Sequence, residues 1–155
     1  MNGFRQNQQN VQNENMKPEY DLAGKVIGLA MKVHTALGPG FLESIYQNAL
    51  VHELKKAGIP FESQKPIAVN YDGVLVGEFI ADLLIEDSLI VELKAIQALV
   101  VAHEVQTVNY LVATKKDDGL LLNFGAERLE FKKKFRLSKS GGKNMPDFEN
   151  SVHSV

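Results

Sequence analysis

The chain has 155 residues, 45% of them hydrophobic and 23% charged, with a formal net charge of −2 and no cysteine. That length suits one domain with a sizeable core and is short for two. Without cysteine, disulfides and thiolate metal sites are excluded. No apolar run approaches the roughly 18 residues needed to cross a bilayer. No basic-then-apolar leader opens the chain, so the expected setting is cytoplasmic, without a membrane partner.

Residues 1–18 are rich in Asn and Gln and poor in apolar side chains, which predicts a disordered tail. A folded domain over 19–137 and a second disordered tail over 138–155 complete the expected organisation. A helix is predicted from Tyr20-Asp21, because Leu22, Val26, Leu29, Val33 and Leu37 recur at helical spacing. Gly38-Pro39-Gly40 ends it. A second helix is predicted over Phe41–Ala57, stopping at Gly58. Its two apolar stripes, one through Ile45 and Ala49 and one through Leu42, Tyr46, Leu50 and Leu54, imply that most of its surface is buried.

Strands are predicted over Phe61–Tyr71 and Val74–Ile85, joined by Asp72-Gly73, a pair favoured at hairpin tips. A third strand, Leu89–Ala95, follows the polar turn Glu86-Asp87-Ser88. Next come a helix over Ala102–Thr114, a strand over Leu120–Phe124 that is apolar on both faces, and a strand over Leu129–Leu137 that alternates with lysines. A helix between the third and fourth strands implies a crossover with parallel pairing. The order α-α-β-β-β-α-β-β predicts an α/β fold, a mixed β-sheet flanked by helices.

The hairpin through Asp87 carries the densest chemical signal. If the turn centres on Asp87, Asp82 lies opposite Glu92, and Lys94 shares a face with Glu92. Strand alternation puts Ile80, Leu84 and Ile90 on the face of these charges and Ala81, Leu83, Val91 and Leu93 on the other. A strand apolar on both faces is central in a sheet, where charges require a partner or a metal. Opposed carboxylates repel unless compensated, and such a pair is how proteins hold Mg²⁺. The competing reading is a solvated sheet edge with Lys94 neutralising both acids. An oxygen-rich site with no Cys and no paired His argues against structural zinc.

Further candidates join these three. Glu43 sits in the first turn of the second helix, where an acid also simply suits the helix dipole. Gln106 and Tyr110 are four apart and share a helical face. His103 lies one turn before Gln106, and His34 precedes the Gly-Pro-Gly loop; a structural role is the first expectation for each. Between Arg128 and Lys143 the charge is +6, leaving −8 for the rest. Such a segment fits a polyanion partner, or an edge strand whose lysines block aggregation.

Gly40-Phe41-Leu42-Glu43-Ser44-Ile45-Tyr46 matches the Gly-x-x-Glu-x-x-Tyr pattern of the bacterial GxxExxY proteins. His34–Gly40, Ala81-Asp82-Leu83, Val91–Ala95, Gln106–Leu111 and Gly119–Gly125 resemble that family in the same order, covering about residues 20–137. The family is grouped with the PD-(D/E)XK nuclease superfamily and its restriction-endonuclease-like fold. Mapped by motif, the resemblance implies a site of Glu43, Asp82, Glu92, Lys94 and Gln106. It departs in having Ala81 where many members carry Pro.

The resemblance further implies a metal-dependent nuclease that hydrolyses phosphodiester bonds with Mg²⁺ or Mn²⁺. Asp82, Glu92 and the Leu93 carbonyl would hold the metal, with Glu43 as a further ligand. Lys94 would act in catalysis, and Gln106 and Tyr110 would orient phosphate or lysine. Lys132, Lys133, Lys134 and Arg136 would contact nucleic acid, DNA ahead of RNA, although no base-reading motif is visible. A second reading is a non-catalytic nucleic-acid-binding or regulatory module on the same fold. A third is an interaction protein, a homodimer built through helix 20–37.

Overall fold

A computed structural model describes residues 20–136. The two expected tails, with Lys139 and Lys143, lie outside the described residues. The first helix, α1 (Leu22–Leu37), is capped by Asp21, whose Oδ1 accepts from the Gly24 amide at 2.8 Å. Gly38, at φ 68°, ends it. The second helix, α2 (Glu43–Lys56), starts two residues later than its apolar stripe predicts. It buries one stripe, Tyr46, Leu50 and Leu54 with Gln47, and leaves Leu42 and Ile45 exposed. The expectation that most of α2 is buried is therefore corrected. One face of the helix packs against α1 and the sheet, so a single stripe meets the core.

Strand β1 (Phe61–Tyr71) pairs antiparallel with β2 (Val74–Ile85) through the Asp72-Gly73 turn. Both turn residues have positive φ, 51° and 74°, as a two-residue hairpin loop requires. β2 pairs antiparallel with β3 (Leu89–Lys94) after a turn in which Glu86 and Asp87 are also left-handed. The third helix, α3 (Val101–Thr114), then crosses over, and β4 (Asp118–Asn123) lies parallel to β3. β5 (Glu130–Phe135) closes the far edge antiparallel to β4. The five strands stand in sequence order in one mixed sheet, so the predicted architecture is observed.

Two apolar layers flank the sheet. The larger joins α1 and α2 to Leu83, Ile85, Val91, Leu93, Leu120 and Leu122. The smaller joins Leu111 of α3 to Ala81, Leu84 and Ile90. Helix α3 comes so close to β4 that a Cβ on Gly119 would lie 3.1 Å from Thr107 Cγ2 and 3.2 Å from Leu111 Cδ1.

One expectation about strand faces fails at an informative place. Ala81 packs with Leu84 and Phe79 on the α3 side rather than with Leu83, and Ile80 is 53% exposed instead of sharing the Leu84 environment. The alternation of β2 breaks between Ala81 and Leu83. Gln64 faces Asp82 between the pairs Ser63↔Leu83 and Lys65↔Ala81, and its φ of 52° disturbs the pleat there. β3 also leaves β2 at this point: their ladder runs only from Ile85↔Leu89 to Leu83↔Val91. Beyond it, β1 and the outer half of β2 continue as an exposed two-stranded arm.

Candidate active site

The gap where β2 and β3 part is occupied by charge. Continuing their register by one step sets Asp82 opposite Glu92, as the hairpin spacing predicts. Asp82 Oδ2 accepts from the Leu93 amide at 2.8 Å. A carboxylate thus binds a backbone amide of β3 just beyond the last pair of the β2–β3 ladder. Lys94 lies two residues on from Glu92, and across the parallel ladder the pairs Glu92↔Leu121 and Lys94↔Asn123 continue the same face. That face looks toward α3.

Glu92 is the most perturbed acid in this group. Its pKa is pushed up from 4.5 to about 8. Burial is the largest cause, followed by the Asp82 charge and a hydrogen bond between the two carboxyls; a backbone bond from Asp82 and the Lys94 charge oppose it. Its Oε1 is buried without a hydrogen-bond partner. Glu43, at the first position of α2, also has a raised pKa, through partial desolvation and then the Asp82 charge, with Lys94 pulling it down. Its side chain is nonetheless largely exposed, which places it at the rim. The Tyr110 pKa is raised by partial burial and by the charges of Glu92 and Asp82, so this helix faces the same group. The Tyr110 ring stacks on Phe79 with centroids 3.8 Å apart. Gln106 is exposed one turn earlier on α3.

Glu43, Asp82, Glu92, Lys94 and Tyr110 are therefore electrostatic neighbours drawn from four elements. The two histidines have other roles. His34 Nε2 donates to the Ala126 carbonyl at 2.9 Å, tying α1 to the loop after β4. His103 Nδ1 accepts from the Val100 amide at the start of its own helix. The basic side chains of β5 divide between the faces. Lys134 meets Glu104 at 2.7 Å, Lys133 meets Asp21 at 3.9 Å and Arg136 meets Asp117 at 2.7 Å. Lys132 pairs with Leu121, which pairs with Glu92, so it stands two strands from the carboxylates on their face.

Four supporting residues escape a reading based on charge. Tyr46 OH donates to the Gly38 carbonyl at 2.5 Å and accepts from the Phe41 amide at 3.1 Å, while its ring stacks on Phe124. It therefore fixes the glycine loop that launches Glu43, a physical reason for a Tyr three residues after the Glu. Gln47 bonds the Asp82 carbonyl at 3.3 Å. Asn123, fully buried, uses Oδ1 to accept from both Ile96 and Gly125 amides at 3.0 Å. Gly125 lets the two segments touch, since a Cβ there would lie 2.3 Å from Ile96 N. Together they clamp the chain just after Lys94. A polar residue ending an apolar strand, followed by Phe-Gly, is the only signal that points to this clamp.

The group offers hard oxygen donors, including one buried oxygen that nothing satisfies, which is the donor chemistry of a divalent cation. Among the described residues no three His, Asp or Glu side chains form a complete metal cage. Two carboxylates and a main-chain carbonyl would leave open positions.

Comparison with curated proteins found no match. Among solved structures the chain is similar to one titled "Crystal structure of SSO0001", at 18% identity and a TM-score of 0.52, over 63% of this chain and 52% of that one. The chain matches about half the length of that protein, and at this identity the likeness shows the fold alone. A family model described as the PD-(D/E)XK nuclease superfamily matches residues 20–135, which takes in every helix and strand above; the chain belongs to that superfamily.

Proposed function

We propose that this protein is a divalent-metal-dependent nuclease of the GxxExxY type. The observation that carries the reading is the half-buried pair Asp82 and Glu92, with a buried, unsatisfied Glu92 oxygen and a lysine beside it, at the gap between β2 and β3. Drawing two carboxyls out of water side by side is costly, and it raises the Glu92 pKa to about 8, yet the fold keeps them where an apolar pair would pack. Asp82, Glu92 and the Leu93 carbonyl would hold Mg²⁺ or Mn²⁺, with Glu43 reaching it directly or through water. Such an ion supplies Lewis acidity at a phosphoryl oxygen and lowers the pKa of water.

The chain's own groups do the rest. Lys94 orients the attacking water and stabilises charge developing on the phosphate. Gln106, exposed on α3, contacts the phosphate, and Tyr110, held by Phe79, orders the same wall. Lys132, with no acid within ion-pair distance among the described residues, is the best placed of the β5 cations to meet the nucleic-acid backbone. Lys133, Lys134 and Arg136 add to the field despite their ion pairs. DNA is the favoured substrate.

The test is Mn²⁺-dependent cleavage of plasmid, linear duplex, single-stranded DNA and RNA, with Glu92→Ala beside the wild type. Cleavage by the wild type alone is expected. Equal cleavage by both would remove Glu92 from the site, and absence of cleavage by both would move the reading to a binding module.

A further inference from the structure

We infer that Gln47 is a positioning residue that sets Asp82 from behind, through the Asp82 backbone carbonyl. Gln47 is 8% exposed, and both ends of its amide are hydrogen-bonded. Nε2 donates to Ser63 Oγ at 3.1 Å and to Asp82 O at 3.3 Å, while Oε1 accepts from Gln64 Nε2 at 3.0 Å. Only the NH₂ end can donate to a carbonyl, so this network fixes which way the amide points.

Its location gives the network a purpose. Asp82 sits where the β2 pleat breaks opposite Gln64 and where β3 departs. At one end of this residue the carboxylate binds the Leu93 amide; at the other the carbonyl binds Gln47. Helix α2 thus holds Asp82, while one turn earlier it presents Glu43, so one rigid element sets two acids of the site. A buried amide is a poor way to fill a core unless its bonds are needed, and a buried network bonded at both ends of the amide specifies a single arrangement.

The consequence for metal binding rests on the proposed function; the consequence for the Asp82–Leu93 bond does not. The experiment measures amide hydrogen exchange by NMR and Mn²⁺ binding by calorimetry on the full chain, comparing wild type with Gln47→Met and Gln64→Gly. Met has similar length and cannot make these bonds. Gly suits the φ of 52° at position 64 and removes the side-chain hydrogen bond to Gln47 Oε1. Gln47→Met is expected to speed exchange at Leu93 about tenfold more than at Leu120 and Leu122, because local opening is set by local bonds. It should also raise the Mn²⁺ concentration for half-saturation by about fivefold, within the range seen on loss of groups that orient metal ligands. Gln64→Gly should shift Leu93 exchange the same way by about twofold.

Unchanged Leu93 protection in Gln47→Met, or a loss spread evenly over β3 and β4, would overturn the inference. If Gln47→Met does not fold, Gln64→Gly decides alone, and an unaltered Leu93 amide overturns it. A wild type that neither cleaves nor binds Mn²⁺ would end the nuclease reading yet leave the Leu93 comparison fully readable.

Discussion

Strands β3 and β5 belong to one sheet, have six residues each and both carry lysine, yet they treat charge in opposite ways. In β3 the charges sit among buried leucines, and a Glu92 oxygen has no partner. On β5 and just after it, Lys133 and Arg136 reach exposed acids, and Lys134 reaches Glu104 in a partly covered pair. Exposed, paired charges cost the fold almost nothing and contribute little. Acids drawn out of water beside one another cost stability when both ionise and are kept for what they do. Charge count alone points to β5; burial points to β3.

The largest effect that tests this contrast is on cleavage. Lys94→Ala should lower kcat by roughly 10²–10³-fold, the scale of losing a preorganised group that stabilises transition-state charge. Replacing Lys133 by Ala should leave kcat within about threefold and act on the salt dependence of binding. Steady-state kinetics on whichever nucleic acid the wild type cleaves would check both, and a reversed order would break the contrast.

Stability should move the other way at Glu92. Its folded pKa of about 8 lies above the ordinary 4.5, so between these values the folded state binds more protons than the unfolded. Stability in the absence of metal is therefore full below about pH 4.5 and is lost as pH rises toward 8. Partial solvent contact limits the loss to on the order of 3 kcal/mol. Glu92→Gln should flatten this slope and be the more stable protein at pH 8 while failing to cleave. Urea unfolding between pH 5 and 8 would show it, and a wild type whose stability does not change over that window would remove Glu92 from its buried setting.

Between these and the surface lies the clamp behind Lys94. Gly125→Ala drives a Cβ to 2.3 Å from backbone atoms of Ile96 and should destabilise by about 2–3 kcal/mol, the range of forced overpacking. Thermal unfolding would measure it. A neutral outcome would mean that the 95–96 segment yields easily and that Lys94 is not held from behind.

Periodicity and turn chemistry made the fold legible. Asp72-Gly73 and the Glu86–Ser88 turn set both hairpin registers, and with them the opposition of Asp82 and Glu92. The alternation of β2 could not be read through Asp82, because strand period assumes an unbroken pleat and the Gln64 irregularity lies on the neighbouring strand. Ala81 and Ile80 were misplaced for that reason. The apolar spacing of α2 misled because it does not say how many sides of a helix have neighbours; Ile45, and Leu42 just before the helix, face outward. Gln47 and Asn123 stayed hidden because neutral amides carry no charge signal, and their partners lie 35 and 27 residues away.

The smallest effect is the sharpest check on β5. Arg136 donates to Asp117 Oδ1 from Nε at 3.1 Å and from Nη2 at 2.7 Å, a well-formed pair on an exposed carboxylate. Water already solvates Asp117, so removing the guanidinium leaves no buried orphan. Arg136→Ala should cost about 0.5–1 kcal/mol at low salt and less as salt screens the pair. Lys134→Ala should cost somewhat more, on the order of 1–2 kcal/mol, because the Glu104 side chain is only 23% exposed and water replaces the ammonium in part. A loss near 3 kcal/mol in either, insensitive to salt, would mean that these cations hold the edge of the sheet as firmly as the core does. The contrast with β3 would then rest on partner geometry rather than on burial.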